Sequence, residues 1–211
     1  MNSSTLYATP QEEFWAGDFG TEYIARNNST ELLASNLKFF SQTLRQINQP
    51  ITSCLEFGAN IGMNLRALKL LYPKLNVRGV EINPDAAKQL KKEIGGANVF
   101  EGSILECPIT EKVDLALIKT VLIHIQPEML HAVYEKLYQA SSRYILVCEY
   151  YNTTPVVIPY RGHTERLFKR DFAGEMMDKY PDLALVDYGF IYLRVNPMLD
   201  DITWFLMEKR S

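Results

Sequence analysis

Two acidic residues, Glu56 and Glu81, stand near the ends of two apolar segments. The first segment, 51–57, is followed by the glycine-bearing turn 58–62 and then by apolar residues at helical spacing. A strand, turn and helix in this order let the backbone approach a ligand and aim the unpaired amides of the helix start at it. The second segment, 77–82, brings Glu81 to the tip of the next strand, where a carboxylate accepts two hydrogen bonds from a ribose diol. The pattern predicts the nucleoside-binding half of a doubly wound sheet.

The charge and spacing of the turn favour S-adenosylmethionine as the nucleoside cofactor. The dinucleotide fingerprint is G-x-G-x-x-G, whereas this turn is Gly58-x-Asn60-x-Gly62, with a shorter last interval. Glu56 precedes the first glycine closely, so it would repel a pyrophosphate and attract an ammonium group. S-adenosylmethionine carries an ammonium, a sulfonium and a ribose but no phosphate. The alternative is that Glu56 caps or pairs locally and that the turn only joins a strand to a helix.

Two segments resemble the cofactor motifs of class I S-adenosylmethionine-dependent methyltransferases. Residues 56–62 are similar to motif I of that family, and Gly79-Val80-Glu81-Ile82-Asn83 is similar to its second motif. Asn60 stands where most members have glycine, and asparagine tolerates left-handed backbone better than other non-glycine residues. Further segments resemble the methylases associated with pseudaminic acid biosynthesis, and the likeness extends over about residues 11–209. These segments are 14–24, 159–163, 168–172 and 200–205.

The resemblance implies an α/β, Rossmann-like class I methyltransferase fold. Its sheet has seven mostly parallel strands in the order 3-2-1-4-5-7-6, with helices on both faces and an N-terminal helical lid. The implied activity is transfer of a methyl group from S-adenosylmethionine to a nitrogen or oxygen of a small, polar, anionic metabolite, with S-adenosyl-L-homocysteine as product. An amino acid derivative, a sugar or a nucleotide sugar would qualify. Two alternatives stay open: a nicotinamide-dependent oxidoreductase on a related sheet, and a cofactor-binding protein without turnover.

Composition is that of one ordinary globular domain. The chain has 211 residues, of which 47% are apolar and 22% charged, and its formal charge is -3. These values give no indication of a general nucleic-acid or membrane binder, so a small-molecule substrate is the expected partner. The three cysteines show neither a disulfide nor a metal-ligand pattern, and no leader or membrane-spanning run is evident. We therefore expect a reducing cytoplasm and no bound metal, while oligomeric state is not indicated.

Apolar periodicity predicts the elements that position these residues. We expect a single domain with an N-terminal arm, lid and helix over 1–48, a cofactor-binding core over 51–150, and a substrate loop with closing strands over 151–211. The stretch 153–166 holds Pro155 and Pro159 and is predicted to be irregular. Further strands are predicted at 97–100, 113–122, 144–148, 183–190 and 202–208, and helices at 32–47, 85–94, 129–137 and 167–180.

The cofactor-binding residues are expected in a lid and at the ends of the first four strands. The aromatic stretch 11–28 is interpreted as a lid that excludes water, or alternatively as a hydrophobic clasp packed on the body. Residues just after the third strand would edge the adenine ring. The candidates are Trp15, Tyr23 and Arg26 in the lid, Glu56, Gly58, Ala59, Asn60 and Gly62 around the turn, Glu81 and Ile82 at the second strand, Ser103 and Ile104 after the third, and Lys119 at the fourth.

Catalytic and substrate-binding candidates come from the second half of the chain. The fourth strand lies beside the first, so Lys119 and His124 are predicted at the pocket rim, where His124 would accept a proton or orient the acceptor. Each could instead be a structural or solvated residue. The segment 150–170 is locally basic and is interpreted as a pocket for a carboxylate or phosphate, or alternatively as a solvated helix start. The substrate-binding candidates are Phe19, His124, Tyr150, Tyr151, Tyr160, Arg161 and His163.

Overall fold

The computed structural model describes residues 7–210 and contains a seven-stranded sheet and a separate two-stranded sheet. The described strands are numbered in chain order. They are β1 (Ser53–Phe57), β2 (Asn76–Glu81), β3 (Val99–Glu101), β4 (Val113–Lys119), β5 (Ser141–Glu149), β6 (Val156–Tyr160), β7 (His163–Lys169), β8 (Leu183–Ile191) and β9 (Ile202–Lys209).

The large sheet has the order β3-β2-β1-β4-β5-β9-β8. Strands β1 to β5 pair in parallel, and β9 lies antiparallel between β5 and β8. Counted within this sheet alone, the order is 3-2-1-4-5-7-6, as the resemblance implies. The chain numbering differs because β6 and β7 form a separate hairpin before the last two strands. The Rossmann-like α/β fold is therefore confirmed.

Helices cover both faces of this sheet. The described α-helices are α1 (Pro10–Ala16), α2 (Asp18–Ile24), α3 (Thr30–Thr43), α4 (Met63–Leu71), α5 (Pro84–Ile94), α6 (Leu130–Ala140) and α7 (Phe172–Lys179). Apolar residues of α3, α4 and α5 share one buried cluster, and those of α6 and α7 share another. No helix between residues 7 and 210 is long and apolar enough to cross a membrane.

Side chains of β1 alternate between these two buried clusters, as the pleat of a strand requires. Leu55 and Phe57 belong to the cluster that contains α6 and α7, whereas Cys54 belongs to the cluster that contains α3 and α4. Glu56 follows the same alternation as Cys54, so its carboxylate lies on the face covered by α3 and α4. Lys119, at the end of the neighbouring strand β4, projects to this same face by the same alternation.

The prediction of an irregular stretch at 153–166 is wrong, because β6 and β7 form a β-hairpin there. Tyr160 pairs with His163, and the connection Arg161-Gly162 has positive φ at both residues, 49° and 84°. These angles fit the two-residue turn whose twist matches that of antiparallel strands. Pro159 lies at a register irregularity beside Tyr160, a position where a strand tolerates proline.

Two predicted boundaries also shift. The predicted helix at 167–180 begins only with α7, because its first residues belong to β7. The Asp171 side chain fixes the new start by accepting a hydrogen bond from Gly174 N at 2.8 Å. The fourth strand ends at Lys119 rather than at residue 122, since residues 122–124 form a short 3-10 turn.

Helices α1 and α2 occupy the stretch predicted to be a lid, and we call this helix pair the lid. The Asn83 side chain fastens it. Its Nδ2 lies 3.2 Å from Trp15 O, 3.3 Å from Ala16 O and 3.2 Å from Gly17 O, so its two hydrogens are shared among carbonyls at the α1–α2 junction. Its Oδ1 accepts hydrogen bonds from the first amides of α5. One asparagine therefore caps a helix of the sheet layer and holds the lid.

Gly20→Ala is expected to loosen the lid. A Cβ at this position would lie 1.9 Å from Trp15 O and 2.9 Å from Asn83 Nδ2, so the backbone would have to move. We expect a cost on the order of 1–3 kcal/mol, seen as a lower Tm and as faster hydrogen exchange over residues 8–27. Gly96→Ala is the control, because a Cβ there meets nothing within 4 Å. Equal exchange rates in the two variants would contradict this packing.

Candidate active site

A pocket lies between the lid and the carboxyl ends of β1 to β4, where ligands bind in open α/β sheets. Its floor comes from the turn after β1 and from the residues that follow β2, β3 and β4. Its roof comes from Gln11, Trp15 and Tyr23 of the lid, and Asn36 of α3 contributes to one wall. Residues 198–200, in the connection between β8 and β9, close the remaining side.

The turn 58–62 uses its own amides within the protein. The hydrogen bonds run from Gly58 N and Ala59 N to Val80 O (2.9 and 3.0 Å), from Asn60 N to Glu81 Oε2 (2.7 Å), from Ile61 N to Asn60 Oδ1 (2.7 Å) and from Gly62 N to Ala59 O (2.9 Å). A pyrophosphate bound at such a turn takes its hydrogen bonds from free amides. The turn therefore offers little to a dinucleotide.

Left-handed backbone shapes this turn. Gly58 has φ 75° and Asn60 has φ 49°, so asparagine adopts the conformation expected of it. A Cβ on Gly58 would also lie 2.4 Å from Val121 Cγ2, so the space as well as the backbone requires glycine there. Gly62 is the N-cap of α4, has φ 87° and faces Leu90, outside the pocket lining.

Glu81 is buried at the end of β2, and its side chain lines the pocket. Its Oε2 accepts a hydrogen bond from Asn60 N at 2.7 Å, and its Oε1 accepts one from Asn83 N at 2.8 Å. Each oxygen keeps a further acceptor position, so the carboxylate can also accept from a pair of hydroxyls. Burial raises the pKa of Glu81, and the hydrogen bonds from the amides of Asn83, Asn60 and Ile82 oppose this shift.

Glu56 is fully buried at the end of β1, and one of its oxygens is unsatisfied. Its Oε1 accepts a hydrogen bond from Asn64 Nδ2 at 2.6 Å, whereas its Oε2 has no hydrogen-bond partner among residues 7–210. Burial raises the pKa of Glu56 to about 8. The hydrogen bond from Asn64 and the charge of Lys119 oppose this shift, and the charge of Glu81 adds to it.

Two asparagines, on the helices α3 and α4 that cover the Glu56 face, also carry unsatisfied acceptor oxygens. Asn36 Oδ1 and Asn64 Oδ1 are buried and also lack a partner in the described part of the chain, and both side chains line the pocket. We call Glu56, Asn36 and Asn64 the acceptor-rich end. Buried polar atoms are nearly always paired, so these oxygens indicate a ligand that brings hydrogen-bond donors.

Lys119 lines the pocket on the same face as Glu56. Its Nζ lies 5.9 Å from the centre of the Phe39 ring. Burial lowers the pKa of Lys119, and nearby thiol and carboxyl groups oppose this shift. A partly buried lysine of this kind can give or take a proton more readily than an exposed one.

His124 lines the pocket in one defined tautomer. Its Nδ1 lies 2.6 Å from Arg166 O of β7, and since a carbonyl only accepts, Nδ1 carries the proton. Burial lowers the pKa of His124 to about 4, so Nε2 is unprotonated at neutral pH and can accept a hydrogen bond. The ring packs between Trp15 and Tyr160, with centroid distances of 4.7 and 5.0 Å.

Glu149, at the end of β5, holds the turn that carries His124. Its Oε1 accepts hydrogen bonds from Val121 N at 2.9 Å and from Leu122 N at 2.8 Å. Burial raises the pKa of Glu149 to about 8, although these amides oppose the shift. Glu149 is absent from the sequence-based candidates, because nothing local relates it to the turn at 122–124.

Most of the predicted cofactor residues come together at this pocket. Its lining contains Trp15, Tyr23, Gly58, Ala59, Asn60, Glu81, Ile82, Ser103, Ile104 and Lys119. Glu56 contacts the lining through Asn64. Arg26 is exposed on the short turn after α2, and both it and Gly62 lie outside the lining.

Three of the predicted substrate residues form an aromatic seam between the lid and the hairpin. The seam consists of Phe14, Phe19, Tyr160 and His163. Ring centroids are 4.2 Å apart for Phe14 and Phe19, 5.0 Å for Phe14 and His163, and 6.0 Å for Phe19 and Tyr160. The seam joins the β6–β7 hairpin to the lid beside His124, and its residues lie outside the pocket lining.

The other substrate candidates lie further from the pocket. Tyr150 donates a hydrogen bond to Asp200 Oδ2 at 2.5 Å, and Asp200 lines the pocket. Tyr151 is 40% exposed and packs against Phe205. Arg161 occupies the exposed turn of the hairpin. The structure thus connects Tyr150 to the pocket by one contact and leaves Tyr151 and Arg161 at the surface.

Asn36 is a site residue that the sequence could have revealed. It lies on the buried stripe of α3 with Leu32, Phe39 and Phe40, so it is a polar residue at an apolar helical position. Asn64 and Asp200 had no such signal, because their neighbours in sequence do not indicate which face becomes the pocket.

Comparison with models of known protein families gives no match, and comparison with curated proteins gives none. Solved structures do resemble the chain. Magnesium protoporphyrin IX methyltransferase from Synechocystis, with bound S-adenosylmethionine, has a TM-score of 0.68 and 12% identity, covering 98% of this chain and 100% of that chain. The 1,6-didemethyltoxoflavin-N1-methyltransferase from Burkholderia thailandensis, with bound 1,6-didemethyltoxoflavin and S-adenosylhomocysteine, has a TM-score of 0.70 and 12% identity, covering 99% and 93%.

A third similar structure is an S-adenosylmethionine-dependent methyltransferase from Leishmania major, with a TM-score of 0.70, 14% identity and coverage of 93% of this chain and 81% of that chain. At these identities the similarity shows the fold. The chain has the Rossmann-like fold of class I methyltransferases.

Glu56→Gln is expected to stabilise the unliganded protein at alkaline pH. The folded-state pKa of about 8 exceeds the ordinary value of 4.5, so the acid favours folding most below pH 4.5 and this contribution is lost as the pH rises through 8. Glutamine can still accept the hydrogen bond from Asn64 but carries no charge. The free energy of unfolding of the variant minus that of the wild type should rise by about 3 kcal/mol between about pH 5.5 and 8.5.

Chemical denaturation at several pH values measures this difference. Glu111→Gln is the control, because the Glu111 side chain is 67% exposed and its ion pair with Arg78 lies at the surface, where such a pair contributes little. A difference for Glu56→Gln that stays constant with pH would show that Glu56 is not held in a raised-pKa environment.

Proposed function

We propose that this chain is an S-adenosylmethionine-dependent methyltransferase that acts on a nitrogen or oxygen of a small polar metabolite. The observation that carries the proposal is the acceptor-rich end, where Glu56 Oε2 and the Oδ1 atoms of Asn36 and Asn64 are buried without partners among residues 7–210. An ammonium group combines a positive charge with three N–H donors, so it matches this set of oxygens. Such a group is present in the amino-acid part of S-adenosylmethionine.

The rest of the pocket also fits this cofactor. Glu81 keeps acceptor positions for the two hydroxyls of a ribose. Ile82, Ile104 and Val121 provide an apolar wall for a base. When bound, S-adenosylmethionine supplies a methyl group activated by its positively charged sulfur. The chain itself has to hold the acceptor in line with that methyl group and exclude water, which the lid is placed to do.

His124 and Lys119 are the residues that we assign to the acceptor. The unprotonated Nε2 of His124 accepts a hydrogen bond from the acceptor hydroxyl or amine, and its low pKa makes it better suited to orientation than to proton removal. Lys119 has a pKa lowered by burial and lies on the same pocket wall as Glu56, so it is the candidate that receives the proton.

The acceptor is proposed to be anionic. Basic side chains of the hairpin lie over aromatic rings at the edge of the site, with Arg166 5.5 Å from the Phe14 ring and Lys169 5.2 Å from the Tyr150 ring. Arg161 stands beside Tyr160 at 5.7 Å. These cations favour a carboxylate or phosphate, as in an amino acid derivative, a sugar acid or a nucleotide sugar.

The finer resemblance to methylases associated with pseudaminic acid biosynthesis belongs to this proposal. It is supported by the way the resembling segments converge: 14–24 forms much of the lid, 159–163 forms the hairpin turn, and 200–205 begins at the pocket wall. A cytoplasmic location is proposed as well. The buried, unpaired thiols of Cys54, Cys107 and Cys148 support a reducing compartment.

The two alternatives are separable by experiment. A nicotinamide-dependent oxidoreductase is disfavoured because the amides of the turn 58–62 are already used and Glu56 would oppose a phosphate. Thermal shift with S-adenosylmethionine, S-adenosylhomocysteine and NAD(H) should show stabilisation by the first two alone. Mass spectrometry of a screen of anionic acceptors should then detect S-adenosylhomocysteine and a methylated product. Binding without any product would favour a protein without turnover.

Glu81→Ala is expected to weaken the binding of S-adenosylhomocysteine by about 10–100-fold, because two hydrogen bonds from the ribose to a carboxylate are lost. Isothermal titration calorimetry measures the change. Glu81→Gln keeps one acceptor oxygen and should lose less affinity. Glu111→Ala, at an exposed position, should bind as the wild type does. Unchanged affinity in Glu81→Ala would remove Glu81 from the cofactor site.

A further inference from the structure

One part of the pocket lies between helix α1 of the lid and the residues that follow β3. Its walls include the apolar side chains of Ile82, Ile104 and Leu105. Glu12 of α1 lines the same pocket, is only 8% exposed and accepts a hydrogen bond from Ser103, the neighbour of Ile104 in the chain. An apolar slot with one carboxylate at its edge suits a flat heteroaromatic ring that carries an N–H donor.

The hydrogen bonds of Glu12 leave one acceptor position open. Its Oε2 accepts from Ala8 N at 2.8 Å and from Thr9 N at 3.0 Å, and its Oε1 accepts from the hydroxyl of Ser103. That hydroxyl accepts in turn from Leu105 N at 3.0 Å, so its direction is defined. A carboxylate has roughly four acceptor positions, and the three protein donors leave about one, on the oxygen beside Ser103.

The strand pairing places this acceptor position next to Glu81, the residue proposed to bind the ribose. Glu81 pairs with Glu101 across β2 and β3, and Gly102 N donates to Glu81 O at 2.9 Å. Ser103 is the next residue of the chain, so Glu81 and Ser103 flank adjacent strand ends. A nucleoside held at Glu81 by its ribose would therefore direct its base towards Ser103 and Glu12.

We propose that Glu12 selects adenine by accepting a hydrogen bond from its exocyclic amino group. The inference rests on the proposed function, since it assumes a nucleoside cofactor with its ribose at Glu81. A base with a carbonyl in place of the amino group would direct an oxygen at the carboxylate and be repelled.

The same contact ties the cofactor to the lid. Glu12 belongs to α1, whereas Ser103 belongs to the sheet, and the two are 91 residues apart in the chain. The amino group would add a second link between lid and sheet beside the existing one from Ser103. Binding of the adenine nucleoside should therefore slow hydrogen exchange in residues 8–17 more than binding of the hypoxanthine analogue does.

The test compares S-adenosylhomocysteine with S-inosylhomocysteine by calorimetry. The wild type should prefer the adenine ligand by about 100-fold or more. Glu12→Gln keeps an oxygen for the amides of Ala8 and Thr9, as glutamine does in a capping box, and turns an N–H donor towards the base. This variant should bring the preference to about tenfold or less, because the new donor suits the hypoxanthine carbonyl.

Two further variants make the result specific. Glu13→Gln removes the same charge from an exposed position of the same helix and should keep the wild-type preference. Ser103→Ala leaves the Glu12 carboxylate in place and should also favour adenine. An unchanged preference in Glu12→Gln, or its loss in Ser103→Ala alone, overturns the inference while S-adenosylhomocysteine still binds. Failure of both ligands to bind the wild type would instead overturn the proposed function.

Discussion

The buried carboxylate of Glu56 is the constraint on which the site depends. It lies on the face of α3 and α4 because the pleat of β1 sends alternate side chains to opposite layers. Its burial is unfavourable because desolvation outweighs the hydrogen bond from Asn64 and the charge of Lys119, and one oxygen has no partner among residues 7–210. The apolar packing of both sheet faces stabilises the fold enough to retain this residue. A cationic ligand would pair with the Glu56 carboxylate and remove this unfavourable free energy of burial. Part of the binding free energy would therefore come from destabilisation that is present in the unliganded protein.

Glu81 connects the pocket to the lid through one hydrogen-bond network. Its two oxygens accept from Asn60 of the turn and Asn83 at the start of α5. The Asn83 side chain then donates to carbonyls between α1 and α2. Asn83 alone therefore connects Glu81, the acid proposed to bind the ribose, to the backbone carbonyls of the lid. Contacts made by a bound nucleoside and the position of the lid are physically linked in this arrangement.

The acceptor side of the pocket is assembled in the same indirect way. Glu149 at the end of β5 fixes the turn 122–124, and His124 on that turn donates to Arg166 O of the hairpin. Tyr160 of the hairpin then packs on the His124 ring and on the lid residue Phe19. Strand β5 thus positions the turn that carries His124, and the two strands of the hairpin fix the tautomer and orientation of its imidazole. A hairpin of different sequence could change the surroundings of His124 without disturbing the pocket at Glu56 and Glu81.

Local patterns in the sequence determined the half of the protein that contains the proposed cofactor site. Alternating apolar residues, a turn that needs left-handed backbone and acids at strand tips depend on neighbours in the chain, so strand, turn and helix followed from spacing. The hairpin at 156–169 did not follow from spacing, because prolines and basic residues mask its alternation and its pairing depends on a turn at Arg161-Gly162. The prolines suggested a loop, whereas the register irregularity beside Tyr160 accommodates Pro159.

Only the tertiary structure decided which side chains complete the site. Glu12 meets Ser103 across 91 residues and His124 meets Arg166 across 42, and neither contact leaves a periodic trace in the sequence. Spacing also left open whether the amides of Gly58, Ala59 and Asn60 were free, since their partners belong to β2. Periodicity records the face on which a side chain lies. The identity of the element packed against that face depends on long-range packing, which local spacing does not encode.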